Sequence, residues 1–177
     1  MKLLQNLETS RLLLRQPVTE DAALIFEHYA QDQEVSKYMT WRPHKSICET
    51  DEYVDRCISS WADHSAFSYV VEQKENAQLI GMIEIRLNQF KADLGYVLTK
   101  SEWGKGYTPE ALQALINWVL GEDEIYRIWA VCDVENAASA RVMEKVGMQR
   151  EGILRQWLVH PNISKEPRDC YCYAICK

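Results

Sequence analysis

The sequence predicts an α/β protein of the α+β type, with one mixed, mostly antiparallel central sheet of about seven strands and helices on both faces. Three observations carry this. Strand-like alternation and helix-like spacing of apolar residues interleave in the order β-α-α-β-β-β-α-β-α-β-β. Three of the strands follow one another across short turns, as an antiparallel meander does. The 177 residues show no repeat, low-complexity tract or Pro/Gly-rich linker. That length fits one domain over residues 1–177, large enough to bury a core without disulfide or metal staples.

Arg11 to Gln16 reads as the first strand. Thr19 is placed to cap a helix to about Gln31, with Leu24, Ile25 and Tyr29 on one face. An aromatic loop, Tyr38 to Pro43, follows. Ser46-Ile47-Cys48-Glu49 has capping-box spacing, and Val54, Cys57, Ile58 and Trp61 behind it recur every three or four residues. Ala66–Gln73, Gln78–Asn88 and Ala92–Thr99 are the meander, with turns at Glu75-Asn76-Ala77 and Gln89-Phe90-Lys91. After Ser101-Glu102-Trp103-Gly104-Lys105-Gly106-Tyr107 comes a helix, with Thr108 at the cap and Pro109 at the first helical position. Its buried stripe is Ala111, Leu112, Leu115, Ile116 and Val119. Tyr126–Val131 is a strand. Asn136 opens a short helix with Val142, Met143 and Val146 on its apolar side, and Gly147 closes it. Gln149–Val159 and Cys170–Cys176 are the last strands.

Composition excludes several classes. Apolar residues are 47%, charged residues 26%, and the formal net charge is -6, so a phosphate-binding nucleic-acid partner is not expected. No apolar run approaches the roughly 18 residues of a membrane span, and Met1–Asn6 lacks a secretory apolar segment. The expectation is a cytoplasmic protein with reduced thiols. Cys48, Cys57, Cys132, Cys170, Cys172 and Cys176 include no Cys-x-x-Cys pair. Cys170, Cys172 and Cys176 share one face of a strand and read as structural thiols, with no metal site expected.

The chemistry concentrates between Ala92 and Leu120. Gly104 and Gly106 let the backbone turn sharply and approach a ligand, and the loop's N–H groups lead into a helix N-terminus, an anion site suited to a pyrophosphate; taken alone, the same residues fit an ordinary strand–helix turn equally well. The string Gly-x-x-x-x-Gly-Lys-Ser/Thr is absent. A dinucleotide fingerprint fails too, because Pro109 stands where the third glycine belongs and the loop comes late in the chain.

Trp103 to Leu112 resembles the pyrophosphate loop and following helix of the GCN5-related N-acetyltransferase (GNAT) superfamily, and of its ribosomal-protein N-terminal (RimJ/RimL-like) group in particular. Three more segments agree in order. They are Glu8-Thr9-Ser10-Arg11-Leu12-Leu13-Leu14-Arg15, Leu94-Gly95-Tyr96-Val97-Leu98, and Asn136-x-x-Ser139 running to Gly147-Met148 and Glu151-Gly152. Ser101 stands where the superfamily carries Gln or Arg, and Met148 where Phe is common. The resemblance implies a GNAT fold in which two parallel strands, Leu94–Leu98 and Tyr126–Val131, splay around the pantetheine arm of acetyl-CoA. Backbone of Tyr96, Val97 and Leu98 is implied to pair with that arm, an N–H near Leu98 to hold the thioester oxygen, and Trp103, Gly104, Lys105, Gly106, Tyr107 and Thr108 to hold the phosphates. Lys105 reads equally as a solvated lysine. Asn136 is implied to bond the pantetheine and also fits a plain helix cap.

Acetyl transfer needs a neutral amine, an acceptor for its proton and a donor to the leaving thiolate. The resemblance makes Ser139 that donor. Asp93 and Glu84 are the carboxylates open to the role of base, and a water chain is the alternative. Tyr38, Trp41 and Arg42 are expected to wall the acceptor cleft, although Trp41 reads equally as a packing residue; Asp169 and Tyr173 resemble the family's closing Asp…Tyr strand, which implies that they reach the same cleft. The acceptor is expected to be a protein or peptide N-terminal amine. A small amine, such as an amino acid, polyamine or antibiotic, is the near alternative, and a non-catalytic acyl-CoA sensor the distant one. A homodimer is compatible with the sequence, which carries no feature that decides the oligomeric state.

Overall fold

The computed structural model describes residues 4–177. β1 (Asn6–Glu8) and β2 (Leu12–Arg15) form a hairpin. α1 (Asp21–Ile25) runs into a π-helical turn at Phe26–Ala30, followed by α2 (Gln33–Ser36) and α3 (Ile47–Asp63). β3 (Phe67–Gln73), β4 (Leu79–Asn88) and β5 (Lys91–Leu98) are the expected antiparallel meander. Then come a 3-10 turn at Lys100–Glu102, α4 (Tyr107–Gly121), β6 (Arg127–Asp133), α5 (Ala137–Lys145), β7 (Gln149–Leu158) and β8 (Arg168–Cys176). The eight strands lie in one sheet in the order β1-β2-β3-β4-β5-β6-β8-β7. The expected count of about seven falls one short because β1, three residues long, is too brief to show an alternation.

Two predicted helix starts shift, and a third keeps its place without the expected side-chain cap. Thr19 stays exposed and caps nothing, because the buried Asp21 takes over that corner. Its carboxylate accepts the Val18 N–H at 2.8 Å and both arms of the Arg15 guanidinium at 2.8 and 2.7 Å. Ser46 holds the N-cap position of α3 without a side-chain cap, and Glu49 reaches the Lys45 N–H instead, at 3.2 Å. α4 begins at Tyr107 with Gly106 before it, so Thr108 is inside the helix and Pro109 is its third residue. Pro109 is tolerated there because the first four helical N–H groups have no partner within the helix.

The sheet is covered on both faces. On one face α4 lays Ala111, Leu112, Leu115, Ile116 and Val119, and α5 lays Ala140 and Met143, against Ile83, Ile85, Ile128 and Tyr173. On the other, Ala22, Ile25, Tyr29, Val54 and Cys57 pack on Val70, Leu79 and Met82. Each fully buried Leu or Ile contributes about 1.5–3 kcal/mol, so both layers fix the sheet between them. β7 is an outer strand whose pairing with β8 slips twice, between Arg150 and Gly152 and between Leu154 and Leu158.

One junction positions everything that follows. β5 and β6, the parallel pair, share only the rungs Lys91↔Arg127, Ala92↔Ile128 and Asp93↔Trp129. Beyond them β5 stays on β4 to the rung Gly81↔Leu98, while β6 stays on β8 to Asp133↔Cys170. A gap therefore opens between Leu94–Leu98 and Ala130–Asp133.

Candidate functional site

Backbone alternation arms the gap. Thr99 donates its N–H to Ile80 on β4 at 2.8 Å. In an antiparallel ladder successive residues point opposite ways in the sheet plane, so the N–H groups of Tyr96 and Leu98 face the gap. The Leu98 carbonyl is already engaged by the Trp103 indole N–H at 2.8 Å. Leu98 thus lies at the loop end of the gap, and Tyr96 nearer the closed end.

At the open end, Gly104 and Gly106 adopt φ of 77° and 84°, left-handed values that favour glycine. The Trp103 N–H is spent on Lys100 at 3.2 Å. Among the described residues no protein acceptor takes the N–H of Gly104, Lys105, Gly106, Tyr107 or Thr108. These five consecutive donors at a helix N-terminus form an anion cradle. The Lys105 ammonium is drawn to the buried Glu102 carboxylate at 3.0 and 3.1 Å, and Glu102 also accepts Gln73 Nε2 at 3.1 Å. The cradle is therefore mainly backbone.

On the flank of the gap, Asn136 caps α5 by accepting the Ser139 N–H at 3.2 Å. That cap fixes Ser139 so that its Oγ lies 2.6 Å from the Tyr96 hydroxyl, which also reaches the Ser139 carbonyl at 3.2 Å. Burial raises the Tyr96 phenol above its ordinary range, against the pull of Ser139, so it stays protonated. Cys132 on β6 is buried on this same face, and burial pushes its thiol up to about 12. Sequence reasoning passed over Cys132, whose nearness to Ser139 depends on how α5 docks.

Glu84 and Asp93 lie on the α1–α3 face. Both carboxylates engage Arg86: Nε reaches Asp93 at 2.7 Å, and the two outer nitrogens reach Asp93 and Glu84. Ser68 Oγ holds the other Glu84 oxygen at 2.9 Å. Gly95 pairs with Glu84, two residues along β5 from Asp93, and a Cβ there would come within 4.0 Å of the guanidinium. Arg86 was missed in the sequence because an alternating strand makes a charged residue look merely solvated.

Of the acceptor-wall candidates, Tyr38, Trp41 and Arg42 share the loop between α2 and α3. Asn162, in the β7–β8 loop, donates to the carbonyls of Ser36 and Trp41 at 2.6 and 2.8 Å. Tyr38 reaches the Glu135 carbonyl at 3.4 Å and meets His160 edge-on. Trp41 packs partly into the α1–α3 core, and Arg42 is exposed. The base of the β7–β8 loop is pinned by the buried Asp133, which binds Arg168 Nε at 2.5 Å. Asp169 and Tyr173 do not join this group. By the rung Ala130↔Tyr173, Tyr173 shares the opposite face, where it is buried and donates to Glu144 on α5 at 2.9 Å. Asp169 accepts the Gln156 N–H at 2.9 Å. Alternation along β8 puts the two residues on one face, and it is the face away from Trp41.

A family model described as an acetyltransferase (GNAT) domain matches residues 11–149. The chain belongs to the GNAT acetyltransferases. An uncharacterized N-acetyltransferase of Bacillus subtilis, YoaA, is 29% identical over 97% of this chain and 96% of its own. The alanine N-acetyltransferase of ribosomal protein uS5 from Escherichia coli is 26% identical over 87% of this chain and 83% of its own. A solved GNAT-family acetyltransferase from Bacillus anthracis superposes with a TM-score of 0.84 at 29% identity, covering 97% of this chain and 98% of that one. The splayed strand pair, the Gly-rich cradle and the Ser139 flank are thus parts of a GNAT acetyltransferase. No helix among the described residues is long and apolar enough to cross a membrane.

Proposed function

We propose that this chain transfers the acetyl group of acetyl-CoA to the α-amine of a protein or peptide, in the manner of the ribosomal-protein acetyltransferases. The observation that carries the reading is the gap itself. It has a backbone anion cradle at one end, unpaired strand groups along its side, and the Tyr96–Ser139 hydroxyl pair toward the other end. The residues fit the cofactor: five free N–H groups suit a diphosphate, and the gap-facing groups of Tyr96 and Leu98 suit an amide-bearing arm.

Acetyl-CoA supplies an acyl group activated as a thioester. The Tyr96 N–H is better placed than that of Leu98 to polarise the thioester oxygen, since Leu98 lies by the phosphate loop. Either hydroxyl of the Tyr96–Ser139 pair can donate to the other; when Tyr96 Oη–H is the donor, the Ser139 proton is free for the departing sulfur. On the other face, Glu84 and Asp93 hold an ammonium near the sheet, and one of them, or water beside them, takes its proton as Arg86 balances the charge. Two carboxylates on one guanidinium leave a single net negative charge, which favours a singly charged N-terminus over a polyamine. The uS5 relative lends the same direction.

The reading is tested by incubating a panel of ribosomal-protein N-terminal peptides, amino acids, polyamines and aminoglycosides with acetyl-CoA and measuring free thiol. Turnover confined to peptides supports it. Turnover confined to small amines would move the acceptor to that class. No turnover across the panel, with acetyl-CoA bound, would leave an acyl-CoA sensor.

A further inference from the structure

The turn between β1 and β2 lies against the first turn of α4, 101 residues away in sequence. Glu110 Oε1 accepts the Thr9 hydroxyl at 2.6 Å, the Ser10 hydroxyl at 3.0 Å and the Arg11 N–H at 3.0 Å. Its Oε2 accepts Arg11 Nε at 2.6 Å. The same guanidinium donates to the Lys105 carbonyl at 3.1 Å and covers the Tyr107 ring at 4.3 Å. One arginine therefore joins a carboxylate, a carbonyl in the middle of the cradle and the ring that follows it.

Two consequences follow from elementary geometry and charge. In a trans peptide the carbonyl and the next N–H point in opposite directions, so fixing the Lys105 carbonyl on Arg11 turns the Gly106 N–H away from Arg11. A carboxylate in the first helical turn also competes with any bound anion for the positive helix end. Arg11, Thr9 and Ser10 together tie up and offset the Glu110 charge.

We propose that Arg11, seated by Glu110, is a positioning residue for the cofactor: it orients the Lys105–Gly106 peptide so that the cradle's donors meet the pyrophosphate. This rests on the acetyl-CoA reading above. It also gives the Glu8–Arg15 segment a purpose beyond opening the sheet, because its turn is what carries Thr9, Ser10 and Arg11 to α4.

The test is a thermal-shift titration with CoA and with S-acetylpantetheine, which lacks the pyrophosphate. The wild-type chain, Arg11→Met, Arg11→Lys, Glu110→Gln and the Arg11→Met/Glu110→Gln double variant are compared. Wild-type binding of CoA checks the cofactor reading separately. Arg11→Met and Glu110→Gln should each weaken CoA about tenfold, the scale of one charge-assisted hydrogen bond, and leave S-acetylpantetheine within about twofold, the scatter expected for an uncoupled site. The double variant should be no weaker than the worse single one, since both remove one device. Arg11→Lys should recover part of the loss. CoA binding by Glu110→Gln as tight as wild type or tighter would overturn the proposal, because a freed Arg11 would then be touching phosphate itself. Equal losses for both ligands would overturn it too, since the effect would be general loosening.

Discussion

The Ser139 hydroxyl pairs with the Tyr96 hydroxyl, which burial holds protonated. Replacing Ser139 with Ala removes the donor without disturbing the Asn136 cap, which uses the Ser139 backbone. We expect kcat to fall about 10²-fold or more, the usual reach of a positioned acid, while acetyl-CoA affinity stays near wild type. A parallel loss of affinity would instead make Ser139 a binding residue. Tyr96→Phe should show a smaller fall in kcat, because Ser139 keeps its own proton. Glu110 offers a second residue-level check. Burial works to raise its pKa, but Thr9, Arg11 and Ser10 hold the carboxylate down to about 2. A depressed folded-state pKa stabilises the fold above the ordinary Glu value of about 4.3 and loses that contribution as pH falls toward the folded value. The stability advantage of the wild type over Glu110→Gln should therefore be flat near neutrality and shrink between about pH 4.3 and pH 2, as followed by denaturant melts. A constant difference across that range would show that the clamp does not depend on the charge of Glu110.

At the level of elements, the gap depends on β5 lying tightly on β4. Gly81 permits this: a Cβ there would come 2.2 Å from the Val97 carbonyl and 2.9 Å from Leu98 Cα. Gly81→Ala must push β5 toward the gap, so we expect a loss of about 1–3 kcal/mol, typical of overpacking, together with weakened CoA binding. A stable variant with full affinity would mean that β5 moves freely. The strands and long helices around this junction were legible from local pattern, because an apolar alternation or a three-to-four spacing is printed in neighbouring residues. Helix starts were less so. Thr19 lost to Asp21 through an ion pair with Arg15, and Pro109 landed inside α4 because the glycine turn at Gly106 had already begun the helix.

For the whole molecule, the division into two faces organises the chemistry. The cofactor cradle, Tyr96 and Ser139 belong with α4 and α5, whereas Glu84, Asp93 and Trp41 belong with α1 and α3. Amide exchange should separate them. CoA should slow exchange at residues 104–108 and at the start of α5, and an acceptor peptide should slow it in the 37–44 and 160–164 loops. Protection of both regions by CoA alone would indicate that the faces are coupled. This division also explains why the site was only half readable in advance. The loop and the Asn-x-x-Ser segment are local strings, but Arg86 between two carboxylates, Arg11 on Glu110, and the face taken by Tyr173 all arise from strand register and long-range docking.

The slips in β7 have an effect beyond the site. An outer strand of ten residues, bearing the exposed Ile153 and Trp157, is the kind of border on which other chains stack into aggregates. Its two register breaks interrupt the regular row of unpaired amides, and the border strand at the other side of the sheet, β1, is only three residues long. Neither margin therefore offers a long straight template for a foreign strand, and the protein should remain dispersed at concentrations where a flat-edged sheet would precipitate.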